Sequence, residues 1–228
     1  MDSPRKTALV AGALYLLTFV SIPTLALYGP VRDRNYVTGA GPDTGAVVGG
    51  VLEVIVAFAC VGTAIVLFPV VKRQNEAVAL GFVASRVLEA AAIVAGVACL
   101  LAVVSLRRAG AGADALVTGQ ALVSLHDRLF LLGQSLMPVV NALLLGSLLY
   151  RSRLVPRALP VLGFVGAPLL AAATLATMAG LIERDSTWAV VAALPIALWE
   201  LSLGIRLVVK GFNPAPVAAG ARVDSPVA

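Results

Sequence analysis

LEVIVAFACVGTAIVLFPVVKRQNEAVALGFVASRVLEA, residues 52–90, decides the fold. Its first twenty residues, Leu52 to Val71, carry a single charge, Glu53. Five polar residues follow (KRQNE, Lys72 to Glu76), and then a second apolar run begins. A bilayer core of roughly 30 Å is crossed by about 20 apolar residues in helical form, so the stretch reads as two membrane helices and a short joint. A membrane barrel would instead need segments of about ten residues with alternating polarity, a pattern absent here.

The rest of the chain repeats this grammar. It has 228 residues, 60% of them apolar and 13% charged, with a mean hydropathy of +0.97. Soluble domains carry about 25% charged residues, so the composition excludes one. The expected fold is all-α, a polytopic bundle of six transmembrane helices with both termini in the cytoplasm. The spans are expected at about 7–28, 46–71, 77–106, 119–150, 158–182 and 188–210. They form one membrane domain over residues 1–212, and 213–228, rich in proline and small residues, is expected to be a disordered cytoplasmic tail. The basic start followed by an apolar run also describes a signal peptide, but no clean A-x-A site follows, and the segment reads as a retained helix. Pro23, Pro138, Pro168 and Pro195 fall within spans, where a missing donor favours a kink.

Orientation follows from lysine and arginine on alternating sides. One side holds Arg5, Lys6, Lys72, Arg73, Arg151, Arg153, Arg157, Lys210 and Arg222, nine in all. The other holds Arg32, Arg34, Arg107, Arg108 and Arg184, five in all. The richer side is expected in the cytoplasm, and the membrane to be the bacterial inner (plasma) membrane. The net charge of +5 is spread over helix ends rather than gathered in a stripe, so nucleic acid is not an expected partner.

The informative residues are charges inside the spans, each costing at least about 2.5–3.5 kcal/mol at the bilayer centre. Glu53, Arg86, Glu89, Asp127 and Glu200 are the candidate intramembrane cluster, expected to gather at middle or outer-middle depth from four helices. Arg86 and Glu89, three apart, share a helix face. Arg86 is expected to bridge Glu89 and one or more of Glu53, Asp127 and Glu200. His126, Arg128 and Asn141 are weaker candidates. Adjacent helical residues point about 100° apart, so His126 and Asp127 are not expected to face each other. Arg206 lies near the cytoplasmic edge and can snorkel. Cys60 and Cys99, both inside spans, read as small core residues.

Three stretches carry a resemblance: Leu52 to Ala90, LLYRSRLVPRALPVLGFVGAPLL (Leu148 to Leu170) and ALPIALWELSLGIRLVVKGFNP (Ala193 to Pro214). Together they resemble a bacterial integral-membrane family catalogued as domain of unknown function 4386. The similarity runs from RKTALVAGALYLL to the GFNP end. It implies a helical membrane protein and no particular activity. Glu53, Arg86, Glu89, Glu200 and the RSRLVPR joint match motif positions of that family.

Two functional classes stay open, with enzymatic activity less favoured. The first binds or transports a small molecule or lipid through the polar cluster. The second is an accessory or scaffolding subunit, in which the cluster fixes helix register and a membrane-protein partner or a homo-oligomer supplies the function. A zinc protease needs HExxH-like ligands, which are absent. A serine protease of the intramembrane kind needs GxSx with a helical histidine partner, and no GxSx is expected here. No metal or other cofactor is expected; the expected partner is the lipid bilayer, beside a small-molecule or lipid ligand or a membrane-protein partner or homo-oligomer.

Overall fold

The computed structural model describes residues 3–214, all helix, turn and loop. The helices are α1 (Ser3–Leu17), α2 (Thr24–Leu27), α3 (Thr44–Val71), α4 (Glu76–Arg108), α5 (Leu116–Phe130), α6 (Met137–Ser152), α7 (Ala158–Met178) and α8 (Thr187–Val209). Five helical stretches are long and apolar enough to cross a membrane: α3, α4, the run from Ala113 to Ser152 that contains α5 and α6, α7 and α8. The first expected span differs. It is broken into α1, a 3-10 turn at Thr18–Ser21, Pro23 and α2. Even so it runs the length of α3, with Leu14 against Gly62 and Leu27 against Gly45.

The spans close into a ring in chain order: α1 on α3, α3 on α4, α4 on α5 and α6, α6 on α7, α7 on α8, and α8 back on α1. That last contact depends on the absence of a side chain at Gly12. A Cβ there would lie 2.7 Å from the Gly204 carbonyl oxygen and 2.8 Å from the Val208 amide, so α1 and α8 touch backbone to backbone.

Local chemistry sets the joints. Asn75 caps α4 by accepting from the Val78 amide at 3.0 Å, and Ser186 caps α8 by accepting from the Ala189 amide at 3.3 Å. In RSRLVPR, Arg153 takes the left-handed conformation (φ 56°) that ends α6, and Pro156 follows before α7. Pro138 has no N–H to offer the Gln134 carbonyl, and the chain widens just before it into a π turn at Leu131–Leu136.

Both ends of the described chain meet at one end of the bundle. Arg5 donates to the carbonyls of Leu207 (2.9 Å) and Val208 (2.6 Å). The Asn213 amide donates to the Leu154 carbonyl at 2.8 Å, and its side chain donates to the Arg153 carbonyl at 2.6 Å. Asn213 is thus anchored, whereas residues 215–228 of the expected disordered tail lie outside the described residues. The largest apolar core fills this end, from Ala8 and Tyr15 to Trp199 and Leu207. A small core of Val56, Ala57, Cys60, Ala90 and Ile93 sits mid-bundle. A third, around Tyr28, Val31, Tyr36, Leu100 and Val103, fills the opposite end.

Candidate functional site

The charges divide into two layers rather than one cluster. In the layer beside the large core, Arg86 is 1% exposed. It donates to Glu89 Oε2 on its own helix at 3.0 Å and to Glu200 Oε1 on α8 at 3.1 Å. Its guanidinium also lies 3.6 Å from Cys60 Sγ and 5.1 Å above the Tyr15 ring. Asn141 of α6 donates to Glu89 Oε2 at 2.7 Å, and Ser85 donates to Asn141 Oδ1. Four helices and α1 are thereby tied to one buried cation. Glu89, Asn141, Ser85 and Cys60 are all buried, and Glu200 keeps 16% of its side chain accessible. Two carboxylates on one guanidinium, with amide and hydroxyl donors filling further lone pairs, is the arrangement a buried ion pair requires if it is not to destabilise. Only the Arg86 Nε among these groups lacks a partner.

Glu53 and Asp127 do not reach Arg86; each has its own partners nearer the other end. Asp127 receives Arg32 from the α2–α3 connection (2.7 Å), Arg184 from the α7–α8 connection (3.2 Å) and His126 Nδ1 (3.2 Å). Its side chain is 35% exposed, and those of Arg32 and Arg184 are nearly as open. The contact with His126 corrects the expectation that neighbours on a helix stay apart. Both side chains turn to the same side, where two loop arginines hold the carboxylate. His126 is itself buried, edge-on to Tyr28 at 5.5 Å. Below them Glu53, also buried, accepts from Tyr28 Oη at 3.0 Å and from Gln134 Nε2 at 3.2 Å. Glu53 forms no ion pair among the described residues. The π turn is what carries Gln134 to it.

A cavity of about 20 Å³, large enough for one water, lies between Thr24, Tyr28, Arg32, Glu53, His126, Phe130 and Arg184. A second, of about 220 Å³, shares Arg32 and opens along α5. The layer therefore has a mouth with two arginines on one carboxylate and a floor with an acid held only by neutral donors. Burial, then the nearby Arg32, lowers the pKa of Arg184, and the opposing pull of Asp127 is what lets the two cations sit together.

The remaining candidates fall outside both layers. Arg128 is exposed and pairs with no acid among the described residues. Arg206 donates to Asn213 Oδ1 at 2.8 Å near the chain ends. Sequence reasoning passed over Arg32, Arg184 and Tyr28 as site residues, whereas Gln134, a polar residue within a span, reads as able to hydrogen-bond between helices and does so to Glu53. The signal for the arginines was their place on the side poorer in basic residues, close to span ends. It also passed over Gly133–Gln134–Ser135–Leu136, which does have GxSx spacing. His126, the single histidine, bonds Asp127 rather than Ser135, so no serine–histidine pair forms.

A family model described as Domain of unknown function (DUF4386) matches residues 10–211. No curated protein and no solved structure matches the chain.

Proposed function

The chain belongs to the DUF4386 family, and from that premise we propose that it is a multi-pass protein of a bacterial plasma membrane which binds a small polar molecule or lipid headgroup in its outer charged layer. The observation that carries the reading is the convergence of Arg32 and Arg184, from two different connections, on half-open Asp127 above a cavity floored by Glu53 and His126. Charged side chains within a membrane bundle mark ligand or ion paths more often than plain packing sites, and these are accessible where the Arg86 network is not. Nine basic residues on the side carrying both termini support placing that side in the cytoplasm, with the Asp127 layer toward the outside.

The Arg86 network supports a different role for its own layer, a lock that fixes helix register. A second reading follows from it: if register alone is what the charges serve, the protein is an accessory or scaffolding subunit. Purified protein in lipid nanodiscs, screened by thermal unfolding against amino acids, carboxylates, polyols and phosphate esters, separates the two. Binding predicts that one class raises Tm and that Asp127→Asn removes the rise. A panel that leaves Tm unmoved, or moves both proteins equally, contradicts it and leaves the scaffold.

A further inference from the structure

The outer layer has a chemistry that narrows its ligand. The cavity of about 220 Å³ is lined by Arg32, Arg34, Gln120 and Ser124 on its polar side and by Val31, Val37, Val103, Leu116 and Val123 on its apolar side. Arg34 is exposed and has no partner among the described residues. The nearest acid in sequence, Asp33, is also part of the lining, but its Oδ1 already accepts from the Asn35 amide at 2.7 Å. Arg32 is shared with Asp127 and keeps donors to spare, since a guanidinium has five N–H groups. Gln120, Ser124 and Asp127, spaced four and three residues apart, share one face of α5. In a membrane-spanning helix such a face does not meet lipid; it lines a polar space.

From this cavity we infer that the ligand is an anionic amphiphile, its phosphate or carboxylate held between Arg32 and Arg34 and its apolar part laid along the half-buried Leu116 and Val123. The proposal rests on the reading of the outer layer as a binding site and adds the ligand's charge and shape to it. Gln120 is a further donor to the anionic group. The Ser124 hydroxyl donates back to the Gln120 carbonyl at 2.9 Å, so it can only accept unless that bond breaks. The same anionic chemistry has two sources, a lipid of the outer leaflet and a soluble amphiphile.

The test uses the full chain in nanodiscs of phosphatidylcholine alone, in nanodiscs mixed with phosphatidylglycerol, and in phosphatidylcholine nanodiscs with octyl phosphate added. Wild type is expected to gain about 5 °C in Tm from at least one anion at a saturating level. Arg34→Gln, which removes an exposed side chain with no partner, is expected to fold as wild type and lose that gain. A gain from phosphatidylglycerol alone assigns the lipid source, and a gain from octyl phosphate assigns the soluble one. Either supports the proposal. If neither anion raises Tm, or Arg34→Gln gains as much as wild type, the anionic assignment is overturned. A polar solute whose effect is lost in Asp127→Asn but kept in Arg34→Gln would overturn it while leaving the binding reading of the layer standing.

Discussion

Arg86 sets the terms at the scale of single residues. It is the cation that Glu89, Glu200, Cys60 and Tyr15 surround, and removing it leaves two carboxylates facing each other without a counter-ion. Breaking a buried ion pair from one side costs about 3–5 kcal/mol. Arg86→Ala is therefore expected to lower the stability of the purified protein by that amount in a denaturant titration, and ligand dependence should be unchanged in whatever fraction folds. A change in ligand response with normal stability would move Arg86 from the lock to the site. The candidate residues were legible one by one, because a charge inside an apolar run stands out whatever the fold. Their grouping was legible for Arg86 with Glu89 and Glu200, and not for the other two acids. Glu53 and Asp127 find partners in connections and in a π turn, and neither leaves a periodic trace in sequence.

Elements show where the outer layer is tied down. Asp43, at the start of α3, accepts from Tyr36 Oη (2.7 Å), Arg107 (3.0 Å) and Arg108 (2.7 Å), and so clamps the connection before α3 to the end of α4. The bond from Arg108, then that from Tyr36, holds the Asp43 carboxyl below its ordinary range. Burial, then the bond to Asp43, pushes the Tyr36 phenol up. A depressed carboxyl contributes stability that is complete above its unfolded pKa of about 4 and is lost as pH falls through the lower folded value. Asp43→Asn is expected to be less stable than wild type by about 1 kcal/mol at neutral pH. That difference should shrink as the pH is taken below about 4. A difference that holds constant with pH would mean the carboxylate charge is not what clamps the connection. The break of the first span at Pro23 belongs to this scale too. Its length and polarity matched a continuous helix, but the chain from Thr18 to Arg32 is two 3-10 turns on either side of the four-residue α2, and that delivers Tyr28 and Arg32 to the site.

Across the whole molecule, two polar layers alternate with three apolar cores. Block length and composition made the all-helical class, with helices long and apolar enough to cross a membrane, readable in advance. The closed order of the ring was not, since contacts such as Gly12 on Gly204 depend on three-dimensional approach rather than on pattern. One polar layer is sealed and the other is accessible, and that difference can be read with thiols. Cys60, buried and 3.6 Å from Arg86, reports on the first, and Ser124→Cys on the exposed face of α5 reports on the second. With Cys99 replaced by alanine, folded protein in sealed vesicles is treated from outside with a membrane-impermeant maleimide and the labelled thiol is identified by mass spectrometry. Rapid labelling is expected at position 124 and none at Cys60 until the protein is unfolded. Labelling of Cys60 in the folded protein, or protection at position 124, would contradict that expectation.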